Sequence, residues 1–217
     1  GQVVVPDCTD GMKGTHGVVE GLFAIGECAC VSVHGANRLG TNSLLDLIVF
    51  GRATGRYLVG KNITNDKFRS VPIDGADKPL QRLKKLESKQ SGMGVLEMGN
   101  AIREASQQYC GVFRNSSLLK EGVSRILDID NNLGDIFVKD KSSVFNTARI
   151  EALEVFNMIE VAKATMLSAE ARKESRGAHS HDDFPERDDR NWMKHSLWFS
   201  DNNRLDYKPV ILKPDSV

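Results

Sequence analysis

The 217-residue sequence predicts an α+β fold: short strands and one buried helix first, then an antiparallel three-helix bundle, then an extended tail. Three observations predict it. β-branched runs stand near the start, three long apolar stripes with helical spacing fill the middle, and a polar stretch with Pro, Asn and mixed charges closes the chain.

Val3 to Val5 is a β-branched run stopped by Pro6, and Val18 to Ile25 carries a second apolar segment into Gly26. Gly11, Gly14 and Gly17 mark the connection between them. The Gly-rich stretch from Gly26 to Asn42 has the form of a ligand loop before a helix. Asn42 or Ser43 is placed to cap that helix, which continues through Leu44-Leu45-Asp46-Leu47-Ile48-Val49-Phe50 towards Gly60. Apolar residues on nearly every side predict that it is buried. Residues 62–76 turn polar, with Pro72 and Gly75, and mark a linker between a first segment at 1–61 and a helical domain at 77–176.

A short basic helix, about Lys78 to Gln90, opens that domain, and its Lys and Arg residues read as a solvated face. Val95, Met98, Ile102, Ala105 and Tyr109 then form one seam. Leu119, Val123, Ile126, Ile129, Leu133 and Ile136 form a second, and Ala148, Ala152, Val155, Ile159, Ala162, Met166 and Ala169 a third. A period near 3.5 in all three predicts the bundle, and the small Ala residues of the third let helix axes approach closely. From Gly177 to Val217 we expect an extended tail with one helical turn around Trp192 to Leu197.

Twenty-nine basic residues balance twenty-nine acidic ones, so no long-range field draws the chain to nucleic acid or anionic lipid. Cys8, Cys28, Cys30 and Cys110 lack the spacing of a zinc site and read as reduced thiols. The longest apolar stretch falls far short of the ~20 residues that span a bilayer. His179 and His181 with Asp182 and Asp183 read as a polar, solvated turn rather than a metal cluster. The first residue is not Met and no targeting signature follows, so we expect an internal portion of a longer protein.

The block Gly26 to Asp46 holds chemistry. Glu27, His34 and Arg38 lie on a glycine-containing loop that leads straight into a helix start. A helix amino-terminus carries unpaired backbone donors and about half a positive charge. An Arg beside it adds a planar fork suited to carboxylate or phosphate, so the residues alone point to an anion site.

Gly26-Glu27, His34-Gly35-Ala36-Asn37-Arg38-Leu39-Gly40 and Asn42-Ser43-Leu44-Leu45-Asp46-Leu47-Ile48-Val49-Phe50-Gly51-Arg52 resemble the succinate dehydrogenase flavoprotein family. Glu174-Ser175-Arg176-Gly177-Ala178-His179, Asp183-Phe184-Pro185, Asp188-Asp189 and Asn191-Trp192 resemble its carboxy-terminal region. Fumarate reductase and L-aspartate oxidase flavoproteins have similar loops, while Gly40-Thr41 and Leu44-Leu45-Asp46 look more like the dehydrogenase. The resemblance implies that segment 1–61 is the last piece of a discontinuous FAD-binding domain. It implies Arg38 as a ligand of a succinate or fumarate carboxylate, Glu27 as an FAD contact, and Ser43 and Leu44 as neighbours of the flavin ring. Succinate would be oxidised to fumarate, with electrons passed to an iron–sulfur subunit, membrane anchor subunits and quinone. The site implied is peripheral on the cytoplasmic side of a bacterial inner membrane, or the matrix side of the mitochondrial one. No Gly-x-Gly-x-x-Gly follows a strand here, and the covalent FAD attachment site of the family has no counterpart in this sequence, so we expect the chain alone to be inactive. The other reading is an interaction module at 77–172 with no chemistry of its own.

Overall fold

The computed structural model describes residues 1–6, 16–61, 70–210 and 212. The chain divides into two units, Gly1–Ser70 with Met193–His195 and Tyr207–Val217, and Val71–Trp192 with Ser196–Asp206.

In the first unit, β1 (Gln2–Pro6) pairs antiparallel with β2 (His16–Phe23), matching Val4 to Val18 and Val5 to Gly17. Gly11, Gly14 and Cys8 lie outside the described residues. After β2 a 3-10 turn covers Gly26–Cys28, and the long helix α1 runs from Gly40 to Gly60. Gly26 has φ of +74°, and a Cβ there would overlap the Leu47 side chain of α1. Only glycine permits this approach, which sets Glu27 close to the helix.

Two expectations fail on α1. Asn42 and Ser43 do not cap it: Leu39 is the extended residue before the first turn, and no side chain supplies a cap. The Leu39 carbonyl instead receives the Asn42 N–H at 3.1 Å, so the backbone tightens the first turn by itself. Nor is the helix buried. Leu44 is 66% exposed, Ile48 69% and Val59 75%, and only Asp46 and Thr54 are buried. An all-round apolar pattern specifies what a helix needs around it, and within the described residues only one flank of α1 is covered.

In the second unit, the amphipathic α2 (Asp77–Ser88) precedes α3 (Val95–Tyr109), α4 (Ser116–Asn132) and α5 (Thr147–Ala171). Residues 62–69 of the expected linker lie outside the described residues. α3, α4 and α5 pack pairwise around one core of Met98, Ile102, Leu119, Ile126, Ile159 and Met166, each at most 1% exposed. Gly122 lets the helices close: a Cβ there would stand 2.5 Å from Tyr109 Cβ and 2.7 Å from Met166 Sδ. Asn115 and Asn146 cap α4 and α5 by accepting from Leu118 N and Arg149 N. Two parallel strand pairs tie the connections, β3 (Met93–Gly94) with β5 (Ile136–Phe137) and β4 (Phe113–Arg114) with β6 (Ser180–His181).

The closing segment is not a simple extended tail: it folds back on itself. A helical turn, α6, occupies Asp189–Trp192, earlier than expected, and β7 (Lys194–Phe199) then pairs with β8 (Arg204–Pro209). Leu197, Trp198 and Phe199 have strand-favouring side chains, and Asn203, in the left-handed region at φ of +51°, supplies the turn back into β8. His181 is not in a solvated turn either. It is 1% exposed, its Nδ1 accepts from Asp183 N, and its ring meets Phe184 edge-on at 4.8 Å. Cys28, Cys30 and Cys110 are free thiols, and burial pushes the Cys110 thiol up.

Candidate functional site

Glu27, Arg38, Ser43 and Leu44 all fall in the first unit, around the loop that joins the 3-10 turn to α1. Residues 29–39 hold no regular structure. Two left-handed residues, Ser32 at φ of +60° and Gly35 at +67°, reverse the chain twice and bring Arg38 back beside the turn it left. There Arg38 Nη2 donates to Glu27 Oε1 at 2.9 Å. The Arg38 side chain is 37% exposed, and its other guanidinium nitrogens bond no described residue. One edge of the fork is thus held by an exposed carboxylate and the remainder faces outward.

Arg38 stands two residues before Gly40, the first residue of the helix. The N–H groups of Leu39, Gly40 and Thr41 have no carbonyl within α1 to bond, and no side chain caps them. A Cβ placed on Gly40 would touch nothing within 4 Å, so there is open space beside the first helical residue. Unbonded backbone donors at a positive helix end, with a guanidinium two residues before it, are groups of the kind that suit an anion. Ser43 and Leu44 sit in the first turn, where their own N–H groups bond back to Leu39 and Gly40 in the helical pattern. Ser43 and Leu44 therefore offer a half-buried hydroxyl and an exposed apolar side chain rather than free backbone donors.

Two further contacts fix the loop. His34 Nε2 lies 2.7 Å from Asp46 Oδ2, joining the loop to the second turn of α1. Ser32 Oγ lies 3.3 Å from His195 Nε2 at the start of β7. Asp46 carried a signal in the sequence as the single charge in the run Leu44 to Phe50. His195, 163 residues from Ser32, carried none.

A second polar cluster lies in the other unit. The fully buried Glu174 accepts from Arg172 Nη1 at 2.6 Å, Arg176 Nε at 2.8 Å, Arg176 Nη2 at 2.9 Å and Asp188 N at 2.8 Å. Burial alone would raise its carboxyl, but these donors, Arg176 foremost, hold it below the usual carboxylate range. His179 accepts from Arg114 Nη1 at 2.8 Å, which leaves Nε2 to donate to the Arg172 carbonyl at 3.0 Å. The ring is therefore neutral, and burial pushes its pKa down, as it does for His181. Among the described residues no group of three or more His, Cys, Asp or Glu could hold a metal, and no helix is long and apolar enough to cross a membrane.

A family model described as "Fumarate reductase flavoprotein C-term" matches residues 99–216, more than half of the chain, and one described as "FAD binding domain" matches residues 4–44. The chain is 48% identical over 202 residues to a succinate dehydrogenase flavoprotein subunit of Coxiella burnetii, covering 93% of this chain and 34% of that protein. It is 43% identical over 215 residues to the same subunit of Rickettsia conorii, covering 98% and 35%. Among solved structures, an E. coli quinol fumarate reductase superposes with a TM-score of 0.80 at 36% identity, covering 91% of this chain and 35% of that one. The chain spans about a third of the length of the relatives it matches.

Proposed function

Because the chain belongs to the fumarate reductase and succinate dehydrogenase flavoprotein family, we propose that it is the part of a succinate dehydrogenase flavoprotein that grips one carboxylate of succinate and closes one side of the FAD site. In this reading residues 1–61 end a discontinuous FAD-binding domain, 62–76 link it to an antiparallel helical domain at 77–176, and 177–217 form the carboxy-terminal region. The observation that carries it is the placement of the partly exposed Arg38 fork two residues before an uncapped helix start.

The donor set suits FAD. When bound, FAD supplies the acceptance of two electrons from carbon, and the charge it gains lies on a ring that backbone donors can stabilise. Gly40 and Thr41 present those donors, Ser43 and Leu44 supply hydroxyl and apolar contacts in the same turn, and Glu27 reaches the site from the adjoining 3-10 turn. Arg38 binds a carboxylate through its free edge, and a dicarboxylate held this way has its methylene carbons fixed in orientation. Positioning of this kind contributes several kcal/mol, roughly, to a reaction barrier. The Glu27 carboxylate keeps the guanidinium from swinging into solvent before substrate arrives.

Electrons would leave through an iron–sulfur subunit and membrane anchor subunits to quinone, at the cytoplasmic face of a bacterial inner membrane. The resemblance in fold to a quinol fumarate reductase favours fumarate reduction as the second reading. The test uses the full-length subunit, purified with FAD, and a soluble electron acceptor. Succinate-dependent turnover supports the proposal, and a flavin-loaded subunit that leaves succinate untouched and reduces no fumarate would defeat it. The 217-residue chain alone is expected to be colourless and inactive.

A further inference from the structure

We propose that His34 and Asp46 form a positioning couple for Arg38, a hydrogen-bonded pair that sets how the guanidinium is presented to a dicarboxylate. This rests on Arg38 being the carboxylate ligand, as read above. Asp46 is 6% exposed and stands in the run Leu44 to Phe50, where every other residue is apolar. Taking a carboxylate out of water is costly unless it is paired. Asp46 Oδ2 has its bond to His34 Nε2 at 2.7 Å, and Oδ1 is buried with no partner among the described residues. A leucine would fill that position of α1 at no electrostatic cost, so what the carboxylate adds is a directed bond to the loop.

The loop needs such a bond. Residues 29–39 have no regular structure, and their direction is set by the left-handed Ser32 and Gly35. His34 sits between those two reversals and four residues before Arg38. Because the carboxylate only accepts, His34 Nε2 carries the proton, which fixes the tautomer and turns the ring into a strut between helix and loop. The couple does not touch substrate: it acts through Arg38. Displacing a binding group by about 1 Å can cost about a hundredfold in rate, so loss of the strut is felt at the substrate.

The experiment uses the full-length FAD-containing subunit, and malonate, a dicarboxylate that cannot be oxidised, titrated through the flavin spectrum. His34→Ala is expected to weaken malonate binding about tenfold or more and to raise the succinate KM more than it lowers kcat. His34→Gln, whose amide N–H can stand in for the ring donor, is expected to restore most of the affinity. Asp46→Leu is the discriminating variant: it removes a buried charge and fills the space, so folding and flavin content hold while malonate binding is lost. The double variant His34→Ala with Asp46→Leu should be no weaker than the weaker single, as for one shared interaction. Unchanged malonate affinity in Asp46→Leu, equal losses in the Ala and Gln variants, or additive losses in the double variant would each overturn the couple. A wild-type subunit that binds neither malonate nor succinate would instead overturn the reading of Arg38.

Discussion

The two units are held by different means. Around α3, α4 and α5 the structure is maintained by burial, with Leu119, Ile126, Ile159 and Ala152 wholly out of contact with water. Around the loop before α1 it is maintained by a handful of polar bonds, Arg38 to Glu27, His34 to Asp46 and Ser32 to His195, while apolar side chains of α1 stand exposed. Packing gives many small contributions that tolerate the loss of one. A few directed bonds give geometry, and each one matters to that geometry more than to stability. The helical unit is therefore where substitutions should unfold the protein, and the loop where they should disable it while leaving it folded.

The largest stability effect should come from the Glu174 cluster. Glu174→Ala leaves Arg172 and Arg176 facing one another without their shared carboxylate and should cost about 3–5 kcal/mol, because breaking a buried pair strands charge. Urea unfolding measures it, and a loss near zero would mean that the cluster is solvated. Next comes the core: Ile159→Ala should cost about 2–5 kcal/mol, whereas Ile48→Ala on the exposed face of α1 should stay within about 0.5 kcal/mol in the same chain. Equal costs at the two positions would erase the contrast between the units.

Acid should act on the helical unit first. Burial holds His179 and His181 below the ordinary histidine range, so the unfolded chain binds protons near pH 6.5 that the folded chain refuses. Stability is then fully present above about pH 7 and declines as pH falls through about 6.5 towards the depressed folded values. Melting temperature followed from pH 8 to pH 5 checks this, and His179→Gln combined with His181→Gln should flatten the slope. The smallest effect belongs to Glu27→Gln. An exposed ion pair is worth at most about 1 kcal/mol, so melting should hardly move while succinate KM changes.

Much of the helical unit was legible because its stripes are self-contained: Met98, Ile102, Ile126, Ile159 and Met166 meet one another within the same stretch of chain. Arg38 and Glu27 were singled out by motif, and the structure shows a direct bond between them that the motif did not foretell. The burial of α1 was misread because periodicity reveals an apolar face and not what covers it. The cap was misread because the helix starts earlier than expected, with Leu39 as the extended residue before its first turn, so Asn42 and Ser43 lie inside the helix rather than before it. His195 was invisible because its contact with Ser32 joins residues 163 positions apart, which no local pattern connects.

The claim on which the account rests is that the Arg38 fork binds a substrate carboxylate by its planar geometry. Arg38→Lys in the full-length FAD-containing subunit keeps the charge and removes the fork. The account predicts that kcat/KM for succinate falls by about a hundredfold or more, with flavin content and melting temperature unchanged. A value within about threefold of wild type would contradict it and take Arg38 out of the substrate site.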